Sequence, residues 1–190
     1  MGFSEKIIIY VLRGGEHADR KLSDERILCC AALFIESGGI CCEALPSIKR
    51  RGGKKPCFEK DIGIYFSVSH SGDYWACAVS KQEIGIDIQK QTGKYSRGIA
   101  KRFFHSDEHK YLEANDFNDF FKIWTAKESY VKFTGQGIKG FTDFSVVTDG
   151  HISEDINGVH IHFINFDPDY CLCVCAAEII ESGVNIKFPY

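Results

Sequence analysis

The 190-residue sequence lacks two features, and each absence excludes a class of protein. No apolar run approaches the roughly 20 residues of a membrane-spanning helix. Positive charge is not in excess either, since 23 Lys and Arg stand against 26 Asp and Glu and the formal net charge is -3. A dedicated nucleic-acid binder would show a basic field over much of its surface. We therefore expect no membrane or nucleic-acid partner, and any anionic ligand must be bound by local cations.

The nine cysteines also lack a metal or redox motif, because no Cys-x-x-Cys pair occurs. The N-terminus has no charged start followed by an apolar core and a cleavage site, so it does not indicate export. We expect a cytoplasmic protein whose cysteines are reduced, buried and structural. Zinc binding and redox chemistry are the alternatives. The most regular cysteines are the adjacent pairs Cys29-Cys30 and Cys41-Cys42 and the alternating Cys171, Cys173 and Cys175.

The first half of the chain is dominated by β-type patterns. "IIIYVLR" predicts a strand over residues 7–13, and Ser23 predicts the cap of a helix that ends at Gly38 and Gly39. The runs "IYFSVSHSG", "YWACAVS" and "IGIDIQK" predict three further strands in a meander.

The second half begins with helical spacing and ends in strands. Helices are predicted for "RGIAKRFF", "SDEHKYLEA" and "DFNDFFKIWTAKESYVKF", and strands for "FSVVTD", "VHIHFINF" and "YCLCVCAAEII". The order strand, helix, strands thus occurs twice, starting at Ile7 and at Ile84. We predict an α+β fold of two similar lobes, residues 1–82 and 83–190, with a ligand site between them.

A helix over residues 117–134 carries the first candidate site residues. Spacing of i, i+4 and i+8 places Trp124, Glu128 and Lys132 on one face. Its start is anchored in a core by Phe117, Phe120, Phe121 and Ile123. The alternative for Glu128 and Lys132 is an ordinary exposed ion pair, which contributes only a few tenths of a kcal/mol.

The strand "IGIDIQK" carries a second candidate acid. Asp87 and Gln89 share one face of this strand, opposite to its isoleucines. A carboxylate in so apolar a strand is costly unless it is paired or bound to a cation. Asp87 and Glu128 together would supply the oxygen ligands that Mg²⁺ prefers, with water and a substrate phosphate at its other positions. The alternative is an edge-strand aspartate that faces water.

Two further segments suit an anionic ligand. In "FSVSHSG", Ser69 and His70 end a strand at a turn, where a hydroxyl, an imidazole and backbone N–H groups can meet a phosphate. They are not a nucleophile and its base, since neighbours on a strand point to opposite faces. Lys55 lies in the most basic stretch, "KRRGGKKP". A structural histidine and a solvated loop are the alternatives.

Considered together, "GKKP", "FSVSHSG", "IGIDIQK", "RFFHSDEHKYL" and "FFKIWTAKESYVKFTGQGI" resemble the 4'-phosphopantetheinyl transferases in sequence, order and separation. The likeness covers about residues 53–180 and is greater to the larger, pseudo-dimeric type that activates peptide and polyketide synthases. It implies transfer of the phosphopantetheine arm of coenzyme A to a serine of an apo acyl or peptidyl carrier protein. Adenosine 3',5'-bisphosphate would be released, and Mg²⁺ would bind the pyrophosphate.

The resemblance also implies roles for the candidate residues. Asp87 and Glu128 would be metal ligands, and Glu128 would also take the proton of the incoming serine. Lys132 would neutralise phosphate charge, and Trp124 would pack. The coenzyme phosphates would be contacted by Lys55, Ser69, His70 and Lys132.

Gln89 and Glu108 differ from the other candidate residues. The family's strand motif ends in Asp-x-Glu, whereas Gln89 occupies the second acid position here, so the expected metal site has two carboxylates and the Gln89 amide. Glu108 matches a family acid near the site, although an acid in a first helical turn also favours the helix dipole. A catalytically silent binding module for coenzyme A or a carrier protein, and a Mg²⁺-dependent phosphohydrolase, are the competing functions. Two lobes in one chain would complete the site without a partner subunit, so we expect a monomer.

Overall fold

The computed structural model describes residues 7–14, 19–38, 44–52, 54–92, 97–178 and 185–187. Within these residues the chain is α+β, with two four-stranded sheets, two two-stranded sheets and four α-helices. None of the described helices has the length and apolarity required to cross a membrane.

The elements of the first part of the chain are β1 (Ile8–Arg13), α1 (Arg20–Gly38), β2 (Ile48–Lys49), β3 (Cys57–Phe58), β4 (Tyr65–Ser71), β5 (Tyr74–Ser80) and β6 (Ile84–Lys90). They are followed by α2 (Arg97–Phe103), α3 (Ser106–Ala114), α4 (Phe120–Thr134), a 3₁₀ helix (Ile138–Asp143), β7 (Val147–Thr148), β8 (His151–Ile152), β9 (Asp155–Ile156), β10 (Val159–Phe163), β11 (Tyr170–Ala176) and β12 (Asn185–Lys187).

The first sheet has the order β12-β1-β5-β4, and α1 covers its outer face. The helix packs through Ile27, Ala31 and Phe34, which recur at helical spacing and are buried against Trp75 and Cys77 of β5. The α1 helix begins at Arg20 rather than at Ser23, because the Asp19 carboxylate accepts the Lys21 N–H at 2.8 Å and satisfies the first turn.

The second sheet has the order β6-β11-β10-β9, and α4 covers its outer face. Strand β6 pairs antiparallel with β11, with Asp87 opposite Cys173 and Gly85 opposite Cys175. Cross-strand partners share a face. The α4 helix begins at Phe120 rather than at Phe117, since Phe117 has a φ of 60° and lies in the preceding turn.

The inner faces of the two four-stranded sheets share one apolar core. Isoleucines 84, 86 and 88 of β6 pack there with Ile9 and Val11 of β1 and with Leu172 and Val174 of β11. The alternation read from "IGIDIQK" is therefore confirmed, because these isoleucines face this core while Asp87 lies on the opposite face.

The predicted meander is wrong. Strands β4 and β5 form a hairpin, but β6 leaves the first sheet and becomes an edge strand of the second. The physical reason is that the backbone of β6 pairs with β11 along its whole length, from Lys90 opposite Tyr170 to Ile84 opposite Ala176. The predicted strand "FSVVTD" is also shorter than expected, since only Val147–Thr148 pairs, with β8 in a separate two-stranded sheet.

The described cysteines fit a structural role only in part. None of the seven forms a disulfide, and the buried ones are Cys30, Cys77, Cys171, Cys173 and Cys175. Cys29 and Cys57 are exposed, so the expectation of burial is wrong for these two. Cys41 and Cys42 lie outside the described residues.

Candidate functional site

Asp87 is the centre of a polar cluster where β6 meets β4 and α4. Its side chain is buried, and Lys132 Nζ of α4 lies 2.7 Å from its Oδ1. Ser69 Oγ of β4 donates to the same oxygen at 2.6 Å, and Gln89 Nε2 donates to Oδ2 at 2.9 Å. The aspartate therefore does not face bulk water, and it is paired as a buried charge must be.

Glu128 lies one helical turn before Lys132, as the i, i+4 spacing predicted. Burial raises the pKa of the Glu128 carboxyl, the charge of Asp87 raises it further, and Lys132 opposes both. The two acids are thus close enough to repel each other electrostatically. Trp124 packs against Phe103, Phe120 and Phe141, which confirms its predicted packing role.

The approach of α4 to Asp87 depends on Gly85. A Cβ at Gly85 would overlap the carbonyl oxygen of Ser129 and lie 2.7 Å from Phe133 N. Glycine is therefore the residue that lets β6 lie directly against the helix backbone. Because Gly85 and Asp87 share a face of β6, the same contact brings Glu128 and Lys132 over Asp87.

Lys55 reaches the same region from the loop after β2. Its Nζ donates to Glu83 Oε2 at 2.8 Å and to the Ile84 carbonyl at 2.6 Å. Burial lowers the pKa of Lys55, and nearby Lys132 lowers it further, while Glu83 opposes both. The ammonium groups of Lys55 and Lys132 are thus close enough to interact, and both line the same cavities, a suitable arrangement for a phosphate-rich ligand.

Two cavities adjoin these cations. One of about 240 Å³ is lined by residues of the loop, β4 and α4, including Lys55, Ser67, Glu128 and Lys132. The other, of about 550 Å³, also includes Lys55 and Lys132 in its lining and adds Lys60 and Tyr65. The pair of lysines therefore lies between a space that Glu128 lines and a larger one beside the first sheet.

His70 is not brought to the same place as Ser69. It is exposed and pairs across the hairpin with Trp75, whose side chain packs in the core under α1. Ser69 pairs with Ala76, whose side chain lies in the core between the sheets. The two neighbours therefore point to opposite faces of β4, as expected for a strand.

Glu108 has a structural environment. Its Oε1 lies 2.8 Å from Lys127 Nζ, and both side chains are fully buried. The same carboxylate accepts the Val146 N–H and, in a capping box at the start of α3, the His105 N–H, each at 2.8 Å. Burial lowers the pKa of Lys127, and Glu108 opposes this shift. Glu108 thus ties α3 to α4 and to the segment before β7.

The carboxylate oxygens of Asp87 and Glu128 are suitable ligands for Mg²⁺. A carboxylate has about four acceptor positions, so Asp87 can accept its three hydrogen bonds and still share an oxygen. Burial raises the pKa of Glu128, and repulsion from Asp87 raises it further; a divalent cation bound to both acids would relieve that repulsion. Among the described residues, no cluster of three or more His, Cys, Asp or Glu side chains could hold a metal. A site here would therefore rest on two carboxylates, completed by water and ligand oxygens.

Sequence reasoning missed the roles of two residues, one in the buried ion pair with Glu108 and one in the contact between β6 and α4. Lys127 lies at helical spacing from buried Ile123, Tyr130 and Val131, so the pattern i, i+4, i+7, i+8 could have identified it as an inward-facing lysine. Gly85 interrupts an apolar strand, which is a signal for close backbone approach. Neither pattern identifies the partner, which is Glu108 for Lys127 and the backbone of α4 for Gly85.

Comparison with known proteins adds a family context. Residues 83–180, slightly more than half of the chain, match the profile of the 4'-phosphopantetheinyl transferase superfamily. The chain is 40% identical over 135 residues to the 4'-phosphopantetheinyl transferase Sfp of Bacillus subtilis strain 168, covering 65% of this chain and 60% of that protein. It is 32% identical over 150 residues to the transferase psf-1 of Bacillus pumilus, covering 68% and 62% respectively. The chain thus spans about three fifths of the length of these relatives.

Proposed function

The chain belongs to the 4'-phosphopantetheinyl transferase superfamily, and we propose that it transfers the 4'-phosphopantetheine arm of coenzyme A to a serine of an apo acyl or peptidyl carrier protein. The observation that carries this proposal is the convergence of Asp87, Glu128 and Lys132 beside two cavities. Two acids that repel each other, next to the two ammonium groups of Lys55 and Lys132, suit a substrate with a metal-bound pyrophosphate.

The proposed reaction is a displacement at the β-phosphorus of coenzyme A. The serine Oγ of the carrier forms a new bond to this phosphorus, and the bond to the oxygen that bridges the two phosphates breaks. The proton of the serine hydroxyl goes to Glu128, a carboxylate that lines the smaller cavity together with Lys132. The bridging oxygen leaves with adenosine 3',5'-bisphosphate, and Lys132 stabilises the negative charge of the phosphates.

Asp87 and Glu128 would hold Mg²⁺, with Gln89 as a neutral third group beside Asp87. When bound, the ion would supply charge neutralisation for the pyrophosphate and for the leaving oxygen. Gln89 donates its N–H to Asp87, so a metal contact of its own would use the amide oxygen or a bridging water.

Lys55 and Lys132 would bind the coenzyme phosphates. Both line the two cavities, which suits a long ligand that passes from one cavity into the other. Binding would replace the Glu83 partner of Lys55 by a phosphate of higher charge. His70 lies on the outer face of β4, so in this proposal it contacts a phosphate that extends beyond the cluster around Asp87.

The two four-stranded sheets would be the cores of two lobes in pseudo-dimeric relation, residues 1–82 and 83–190, with β12 of the second segment pairing at the edge of the first sheet. Support comes from the position of Asp87, which belongs to the second sheet but is bonded to Ser69 of the first. A site built from both parts of one chain needs no partner subunit, so the proposed unit is a monomer.

The test is to incubate the purified protein with coenzyme A, Mg²⁺ and a panel of apo carrier proteins, and to measure adenosine 3',5'-bisphosphate by chromatography. Release that requires both Mg²⁺ and a carrier supports the proposal. Release without a carrier would indicate a phosphohydrolase instead. Coenzyme binding without release on any carrier would indicate a silent binding module.

A further inference from the structure

Strands β4 and β6 lie side by side but belong to different sheets, and serine side chains join them. Ser67 Oγ accepts the Ile86 N–H at 3.1 Å, and Ser71 Oγ accepts the Lys90 N–H at 2.9 Å. Between them, Ser69 Oγ donates to Asp87 Oδ1 at 2.6 Å. We call Ser67, Ser69 and Ser71 the serine seam. These alternate residues of β4 replace the backbone hydrogen bonds that would otherwise join two neighbouring strands.

The outer serines of the seam, Ser67 and Ser71, accept hydrogen bonds from the backbone of β6. One edge of β6 is paired with β11, and the N–H groups on its other edge need acceptors because the strand is buried. Both outer bonds have a sequence separation of 19 residues, so β4 and β6 run in the same direction at a fixed register. Ile86 and Lys90 flank Asp87, so this register determines which part of β4 faces the aspartate.

The central serine differs from the other two because it donates rather than accepts. A serine hydroxyl has one proton, and that of Ser69 lies on Asp87. A phosphate oxygen at neutral pH is an acceptor, so a phosphate would compete with Asp87 for this one proton. The contact that the structure shows is the one with the acid.

We propose that the serine seam is a positioning device for Asp87: Ser67 and Ser71 fix the register of β6 against β4, and Ser69 sets the orientation of the carboxylate that receives Mg²⁺. This inference rests on the metal-binding role of Asp87 in the proposed function. Ser69 is thus a positioning residue, which acts through Asp87. The chemistry of such a group is to hold a ligand oxygen in place before the metal arrives.

The first test separates positioning from phosphate binding. Ser69→Ala should raise the Mg²⁺ dissociation constant, measured by calorimetry without a carrier protein, by about 10-fold, since groups that orient metal ligands typically contribute this much. At saturating Mg²⁺ the KM for coenzyme A should change little. The reverse pattern, with unchanged Mg²⁺ binding and a raised KM, would overturn the proposal. Ser80→Ala is the matched control, because Ser80 is a buried β5 serine whose Oγ accepts the Gln82 N–H away from Asp87.

The second test examines the register without metal or substrate. Ser67→Ala should speed amide hydrogen exchange at Ile86, and Ser71→Ala should speed it at Lys90, each by at least several-fold, with little change at the other amide. Unchanged exchange at both amides in folded variants would reject the seam.

A double-mutant cycle, measured in the presence of EDTA, tests the contact between Ser69 and Asp87. If Ser69 and Asp87 act together, Ser69→Ala with Asp87→Asn should lose less unfolding free energy than the sum of the single changes. Additive losses would contradict the contact. Failure of every carrier to accept the arm would refute the proposed function. The exchange rates and this cycle would still show whether the serine seam holds β6 and Asp87 in position.

Discussion

Gly85 of β6 lies against the backbone of Ser129 in α4, so closely that a single added carbon would overlap the Ser129 carbonyl oxygen. The Ser129 hydroxyl in turn lies 3.3 Å from Cys173 Sγ and 3.1 Å from Cys175 Sγ of β11. Small and soft groups therefore line the contact between α4 and the second sheet. This contact determines how closely Glu128 and Lys132 approach Asp87.

Gly85→Ala should consequently damage both the fold and the site. The added methyl group must push α4 away from β6, which costs on the order of 3 kcal/mol for an overpacked core. In melting experiments we expect a fall in Tm of more than about 5 °C, together with weaker Mg²⁺ binding by the folded fraction. Gly52→Ala is the control, since nothing lies within 4 Å of a Cβ at Gly52. Equal Tm values for both variants would show that the close approach is not required.

The burial of Glu128 and its repulsion from Asp87 should be visible as a pH-dependent stability. The folded-state pKa of Glu128 is raised, so its contribution to stability is fully present below the unfolded value of 4.5 and is lost as pH rises through the folded value. In EDTA, Glu128→Gln should therefore be more stable than the wild type at pH 8, by about 2–4 °C if the effect is about 1 kcal/mol. The gap in Tm should narrow as the pH is lowered toward 5. A wild type that is more stable at pH 8 would contradict this electrostatic relationship.

Glu108 should matter for stability rather than for chemistry. In Glu108→Gln the buried ammonium of Lys127 loses its charged partner, which typically costs about 3–5 kcal/mol. The double variant Glu108→Gln with Lys127→Met should recover part of this loss, because no buried charge is left. Denaturant titration gives both values. Turnover of the folded Glu108→Gln protein should stay near that of the wild type. A folded variant without turnover would instead give Glu108 a chemical role.

Gln89→Glu should alter the metal dependence. A third carboxylate beside Asp87 adds charge where the amide now donates to Oδ2. The Mg²⁺ concentration for half-maximal activity should fall several-fold, while turnover at saturating Mg²⁺ changes much less. Gln91→Glu is the control, because it adds the same charge two residues away, at a side chain that donates to the Pro168 carbonyl. It should not change the Mg²⁺ concentration for half-maximal activity. An unchanged titration in Gln89→Glu would remove this residue from the metal site.

Periodicity in the sequence predicted much of this site. Alternation in "IGIDIQK" placed Asp87 opposite to the isoleucines, and helical spacing placed Glu128 and Lys132 on one face of α4. The motif set also identified the superfamily correctly. Periodicity is a local property of the backbone, so it shows which residues share a face but not which element that face meets.

The partners of these faces came only from the structure. Turn residues before "IGIDIQK" are compatible with a meander, and nothing local indicates that β6 pairs with β11, whose first residue, Tyr170, lies 80 residues after its partner Lys90. The serine seam could not be predicted from the sequence either, because serines at alternate positions of a strand ordinarily indicate a solvent-exposed face. Lys127 was overlooked for a related reason: lysine is rarely buried, and its partner Glu108 belongs to another helix.

The most direct test of the central claim is the intact mass of an apo carrier protein after incubation with coenzyme A, Mg²⁺ and either wild-type protein or Glu128→Gln. We expect the mass to increase by one phosphopantetheine arm with the wild type, and to remain that of the apo carrier with the folded variant. A carrier that gains the arm equally fast with Glu128→Gln would contradict the account of this site.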